Sequence, residues 1–183
     1  MSELPPAVRI REVGPRDGFQ NEPRTIPTAA KVALIDGLCR TGLRRVEVTS
    51  FVRPEVIPQL ADAEAVLDAI ERPAGVALSV LVPNRRGLDR ALGRRERFDE
   101  VGVFLSATEA HNRRNLNRSV AESLAEAAAV LGRSVAAGLR GEAIISVAFG
   151  CPYSGPVDPD RVFALGRVLR EAGAAELSFA DTT

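Results

Sequence analysis

The residues of this chain best suited to chemistry are Arg16 and Asp17, within the run Gly14-Pro15-Arg16-Asp17-Gly18-Phe19-Gln20-Asn21-Glu22. A guanidinium is a permanent planar cation able to stabilise an oxyanion, and an adjacent carboxylate is a hard oxygen donor for a divalent metal. An arbitrary Arg-Asp pair is usually a surface ion pair of little worth, so its setting has to carry the reading. The preceding Val8-Arg9-Ile10-Arg11-Glu12-Val13 alternates as a strand does, with Val8, Ile10 and Glu12 on one side and Arg9, Arg11 and Val13 on the other. Gly14-Pro15 stops that strand, and Gly18 permits a tight backbone path. Arg16 and Asp17 are therefore presented at a strand end, where anion and metal chemistry need them.

The elements that position them repeat one unit. Residues 28–41 carry Val32, Leu34, Ile35 and Leu38 at helical spacing, with Thr28 as N-cap and Gly42 as stop. The β-branched run 45–51 predicts a second strand, followed by a helix over about 58–70. Strand three is 76–82, nearly continuous in apolar character, and a short helix near 87–94 leads to strand four over 100–105. The Ala-rich segment 119–137 opens with the capping-box pattern Ser119-Val120-Ala121-Glu122. Strand five is placed at 143–149, helix five at 159–172 and strand six at 176–179. Six strands alternating with five helices predict a parallel α/β architecture, either doubly wound or a (β/α)8-type TIM barrel. Two features favour the barrel: no Gly-x-Gly-x-x-Gly turn follows strand one, and polar residues recur at successive strand ends. Those ends read Arg16-Asp17, Glu47-Thr49-Ser50, Asn84, Ser106 with Glu109, Cys151-Tyr153 and Asp181-Thr182.

Composition bounds the function classes. The 183 residues are 45% hydrophobic, ample for one packed core, and 24 basic side chains balance 24 acidic ones, which gives no electrostatic reason to seek nucleic acid. Tryptophan is absent and aromatics are few, against a base-stacking surface. No stretch approaches the length of a membrane span, and Met1-Ser2-Glu3-Leu4-Pro5-Pro6 has neither the basic start nor the apolar run of a secretory signal. A cytoplasmic protein without a membrane partner is the expectation. Cys39 and Cys151 form no framework and no C-x-x-C pair, so both are read as reduced, structural thiols.

The segments GPRDGFQNE, VEVTSFVRPEVIPQLAD, LVPNRRG, TEAHNRRNLNRSVAES, GCPYSG and LSFADTT, in this order and spacing, resemble the 3-hydroxy-3-methylglutaryl-CoA lyase family over nearly the whole chain. That family belongs to a group of metal-dependent barrels that make and break carbon–carbon bonds. The resemblance implies that residues 1–183 are the N-terminal part of a single lyase-type catalytic barrel. It further implies a retro-Claisen cleavage of 3-hydroxy-3-methylglutaryl-CoA to acetoacetate and acetyl-CoA. Asp17 would bind the divalent cation, Mg²⁺ or Mn²⁺, and Arg16 would stabilise the thioester enolate. Glu47 would hold Arg16 or a metal-bound water, and Asp181 would join them as a catalytic position. Gln20, Ser50, Tyr153, Thr182 and Asn115 would contact the acyl-CoA thioester, and Arg113-Arg114 would meet its phosphates. Leucine breakdown and a homodimer are implied with the rest.

The chain also departs from the family. The resemblance implies a His-x-His pair and an asparagine as further metal ligands, yet the single histidine is His111, read as a solvated loop residue or rim contact. Six strands of an expected eight leave the first and last edges unpaired, so the chain is read as truncated and inactive alone. The alternatives are a related Claisen-type synthase acting on a 2-oxo acid, or a non-catalytic remnant.

Overall fold

Parallel strands in unbroken chain order form the centre of the protein, which the computed structural model describes over residues 5–182. Met1-Ser2-Glu3-Leu4, part of the segment read for a secretory signal, and Thr183 lie outside the described residues. β1 (Arg11–Glu12), β2 (Arg45–Ser50), β3 (Ala77–Leu81), β4 (Glu100–Ser106) and β5 (Arg140–Ser146) are followed by a two-stranded hairpin, β6 (Gly150–Cys151) and β7 (Gly155–Pro156), and then by β8 (Ala174–Phe179). The main sheet runs β1-β2-β3-β4-β5-β8, every pair parallel. A doubly wound sheet reverses its strand order at a switch point, whereas a barrel adds each strand beside the last. The sheet is accordingly a curled half-barrel.

The helices are α1 (Thr28–Cys39), α2 (Ala63–Ala69), α3 (Arg85–Leu92), α4 (Glu109–Leu116), α5 (Val120–Ala136) and α6 (Pro159–Glu171). One face of the sheet, bearing Val46, Val48, Leu78, Val80, Val101, Val103, Leu105, Ala143 and Ile145, packs with Ile35, Leu67, Leu88, Leu131 and Leu165 of the helices to make the hydrophobic core. Burying each of the Val, Leu and Ile side chains contributes roughly 1.5–3 kcal/mol relative to exposure. Side chains alternate across a strand, so the opposite face takes Arg45, Glu47, Ser79, Glu100, Gly102, Phe104, Arg140, Glu142, Ile144, Glu176 and Ser178. Barrel interiors are ordinarily filled by branched aliphatics. Here the lower interior is ionic: Arg45 reaches Glu100 at 2.8 Å and Glu176 at 2.9 Å, while Arg140 reaches Glu176 at 3.2 Å.

Several expected boundaries moved. The first strand shortens from 8–13 to the two residues of β1, because Val8 and Ile10 are exposed and only Arg11 and Glu12 pair with β2. The helix expected over 58–70 divides into a 3₁₀ turn, Pro58–Leu60, and α2. β5 ends at Ser146, and Phe149 is exposed before the hairpin. α4 occupies a segment read as a loop. Its sequence EAHNRRNL has no apolar stripe for periodicity to detect. Tertiary hydrogen bonds hold it instead: Thr108 caps its start, and buried Asn112 accepts from the Ser106 N–H at 2.9 Å and donates to the Arg118 and Ser119 carbonyls and to Ser123 Oγ.

Candidate active site

The turn after β1 is a single π-type turn, Gly14–Gly18, closed by the Phe19 N–H donating back to the Gly14 carbonyl, while the Val13 carbonyl accepts from the N–H groups of Arg16 at 3.0 Å and Asp17 at 2.7 Å. Such wide turns are rare and frequent at functional sites. The Gly14 N–H donates to Glu12 Oε1 at 2.6 Å, which ties the turn to its own strand. Arg16 donates through Nε to Glu47 Oε1 and through Nη1 to Asp17 Oδ1 at 2.6 Å. The guanidinium is thus held from below by a buried carboxylate and from the side by an exposed one. Burial pushes the Glu47 carboxyl up, Arg16 and Arg11 pull it back, Glu142 opposes them, and the net direction is upward.

A cavity of about 1660 Å³ opens at the carboxyl ends of the strands and is lined by Arg16, Asp17, Gln20, Ser50, Asn115, Asp181 and Thr182. Seven of the nine sequence-predicted residues are brought together there. Glu47 lies beneath it, gripping Arg16. Tyr153, half exposed, is outside its lining and stacks instead on the Arg114 guanidinium, 4.2 Å from the ring centroid. Ser50, nearly fully buried at the end of β2, accepts from the Val52 N–H at 3.3 Å. Thr182 Oγ1 accepts from the Val147 N–H at 2.9 Å, and Val147 has φ of 51°, which is strained for a β-branched residue. The floor of the cavity includes Leu81, Phe104 and Ile144, an apolar layer between the polar rim and the ionic interior.

Of the two readings of His111, the rim contact holds and the loop does not. It sits half-buried on α4, lines the cavity, and shares a 2.7 Å hydrogen bond between Nδ1 and Ser106 Oγ. Its ring lies 5.9 Å from that of Tyr153. Sequence reasoning also left Arg11, Glu100, Glu142 and Glu176 out of the site. The available signal was charge at alternate positions inside otherwise apolar strands, as in Arg45-Val46-Glu47 and Arg140-Gly141-Glu142.

The two thiols separate chemically. Cys39 is buried on α1, and burial followed by the Asp36 carboxylate pushes its thiol up. Burial also opposes ionisation of Cys151, but hydrogen bonds from Ser154 and Thr108 and from the Tyr153 and Ser154 backbone bring it down to about 7. Both thiols are nearly buried, so alkylation by a small haloacetamide, followed by mass spectrometry across neutral pH, is expected to be slow at each and faster at Cys151, whose thiolate forms at lower pH. Equal labelling of both thiols is the contrary result.

Asp17 is a suitable single ligand for a hard cation, being a half-exposed carboxylate at the cavity rim. Among the described residues, no group of three or more His, Cys, Asp or Glu side chains is gathered to hold a metal ion. Nor is any helix among them long and apolar enough to cross a membrane.

The HMGL-like family model matches residues 7–183. The chain is similar to the hydroxymethylglutaryl-CoA lyase YngG of Bacillus subtilis, 47% identical over 178 residues, covering 97% of this chain and 59% of that protein. It superimposes on the crystal structure of the Bacillus subtilis HMG-CoA lyase with a TM-score of 0.93 over 97% of this chain and 59% of the other. An Acinetobacter baumannii HMG-CoA lyase in complex with coenzyme A and 3-methylmalate gives a TM-score of 0.91 at 33% identity, over all of this chain and 59% of that one. The chain thus spans about three-fifths of the length of the proteins it matches.

Proposed function

The chain belongs to the HMGL-like family, and from that membership we propose that it contributes the Arg16-Asp17 half of the active site of a 3-hydroxy-3-methylglutaryl-CoA lyase. Residues 1–183 then form the N-terminal part of one catalytic barrel, a reading supported by the half-barrel's fit to three-fifths of each neighbouring structure. The reaction is a carbon–carbon cleavage of the thioester to acetoacetate and acetyl-CoA, a step in leucine breakdown.

One observation carries the proposal: Arg16, fixed by Glu47 and Asp17, presents a permanent cation at the rim of a cavity large enough for a thioester head group. Loss of the tertiary hydroxyl proton sends electrons into the carbonyl that becomes acetoacetate. The bond to the thioester α-carbon breaks, negative charge collects on the thioester oxygen, and return of one proton to that α-carbon completes acetyl-CoA, so that no net proton is gained or lost. A preorganised guanidinium stabilises that oxygen more than the neutral ground state. Gln20, Ser50, Asn115 and Thr182 are proposed to orient the acyl chain, with Asp181 on the same rim and Tyr153 at its margin. Arg113 and Arg114 are proposed to meet the coenzyme's phosphates. Asp17 is proposed as one oxygen ligand of Mg²⁺ or Mn²⁺, a cation that lowers the pKa of a hydroxyl bound to it.

The direct test incubates the whole protein with the thioester and either metal and measures acetoacetate. Asp17→Ala is expected to cut turnover at least tenfold and to raise the metal concentration needed for half-maximal rate. Absence of acetoacetate from the whole protein overturns the lyase reading. A fully active Asp17→Ala variant overturns the metal assignment.

A further inference from the structure

Arg11 takes no part in the chemistry above, yet it stands directly under the residue that grips Arg16. Glu47 presents its two oxygens to two arginines: Oε1 accepts from Arg16 Nε, and Oε2 lies 3.8 Å from Arg11 Nη1. The same Arg11 nitrogen pairs with Glu142, and Nη2 lies 3.5 Å from Glu176. Glu142 is the carboxylate that opposes Glu47, so Arg11 occupies the gap between two like charges, both almost fully buried.

Two features show that Arg11 is not placed for stability alone. It is in register with Arg45 on the neighbouring strand, which sets two cations side by side. Its Nε is the buried side-chain polar atom that, among the described residues, has no hydrogen-bond partner. Both are unfavourable, and proteins tolerate such arrangements chiefly at functional sites.

We infer that Arg11 is a positioning residue, fixing the Glu47 carboxylate from below so that Arg16 is held in one orientation over the cavity. The inference rests on the reading of Arg16 as the group that stabilises the enolate. Without Arg11, Glu47 keeps one cationic partner against burial and against Glu142. It then accepts a proton at higher pH, and a neutral carboxyl holds the guanidinium far less firmly than a charged one. The groups facing Glu47 are Arg16 from the turn after β1, Arg11 from β1 and Glu142 from β5.

The experiment compares the whole protein with Arg11→Met, Arg11→Lys and the double variant Arg11→Met/Glu142→Gln. Arg11→Met is expected to lower kcat at least tenfold while KM stays within about threefold. It should also move the acidic limb of the kcat profile upward by roughly one pH unit. Lysine at position 11 should restore most of the rate, and Glu142→Gln in the methionine background should move the limb back. A second readout needs no turnover: ¹³C NMR of glutamate carboxyls, with the Glu47 signal assigned by its loss in Glu47→Gln. Its titration midpoint should rise in Arg11→Met and return in the double variant. Should methionine prevent folding, judged by circular dichroism, Arg11→Gln takes its place.

An unmoved Glu47 midpoint overturns the inference, as does a loss that falls on KM alone. A moved midpoint in a protein whose wild type makes no acetoacetate counts against the proposed function and leaves the coupling of Arg11 to Glu47 standing.

Discussion

Arg16→Met is expected to lower kcat for acetoacetate formation by ~10²–10³, the cost of removing one preorganised oxyanion-stabilising donor. Methionine keeps much of the side-chain volume and discards the charge, so the backbone of the π-type turn, fixed by the Val13 carbonyl, has no reason to rearrange. Uniform substrate binding does not require Arg16, so KM should change little while kcat and kcat/KM fall together. Lysine should rescue poorly. Arg16 uses Nε toward Glu47 and Nη1 toward Asp17 at once, and a single ammonium cannot reproduce that fork. The measurement is steady-state kinetics with a thermal melt on each variant. A kcat within a few-fold of wild type, in a folded variant, removes Arg16 from the chemistry.

Arg45→Met should be the largest single loss of stability among the charge changes, about 3–5 kcal/mol, the usual cost of breaking a buried ion pair from one side. Arg45 lies between Glu100 and Glu176 in the lower barrel and is itself mostly buried. Its removal leaves Glu100 buried with, among the described residues, Arg140 as its one remaining ion-pair partner, at 3.8 Å. At roughly 2–4 °C per kcal/mol for a domain of this size, the melting temperature should fall by about 10 °C. Adding Glu100→Leu should recover part of the loss, since an apolar replacement of both partners is often neutral. Arg40→Met is the control: its partner Glu71 is as exposed as Arg40 itself, and no measurable change is expected. If both variants melt alike, the interior ionic layer contributes nothing particular.

The positions of the strands and helices were legible because they depend on local regularities. Ser119 and Glu122 do form the capping box read from their spacing, and Val46 and Val48 do face the core while Glu47 faces the other way. What failed were segments without a periodic signal. α4 has a polar sequence held by Asn112 and Thr108, and Val8 and Ile10 alternate correctly but find nothing to cover them. The loop assignment of His111 failed for the same reason, while its reading as a rim contact held.

Barrel against doubly wound sheet was a separate matter. Both folds share the same alternation of elements, and only the order of strand pairing tells them apart. The site divides along the same line. By itself the sequence determined that Arg16 and Asp17 stand together at a strand end, because a π-type turn between a short strand and Gly18 is a local event. It also determined the family to which they belong. Only the tertiary structure decided what Arg16 rests on. Glu47 lies 31 residues away, and beneath it Arg11, Arg45 and Arg140 face Glu100, Glu142 and Glu176 across five strands. A charge inside a strand reads alike whether it points to water or to a partner. Curling the sheet puts those charges on one concave face, where low polarisability makes each depend on the next.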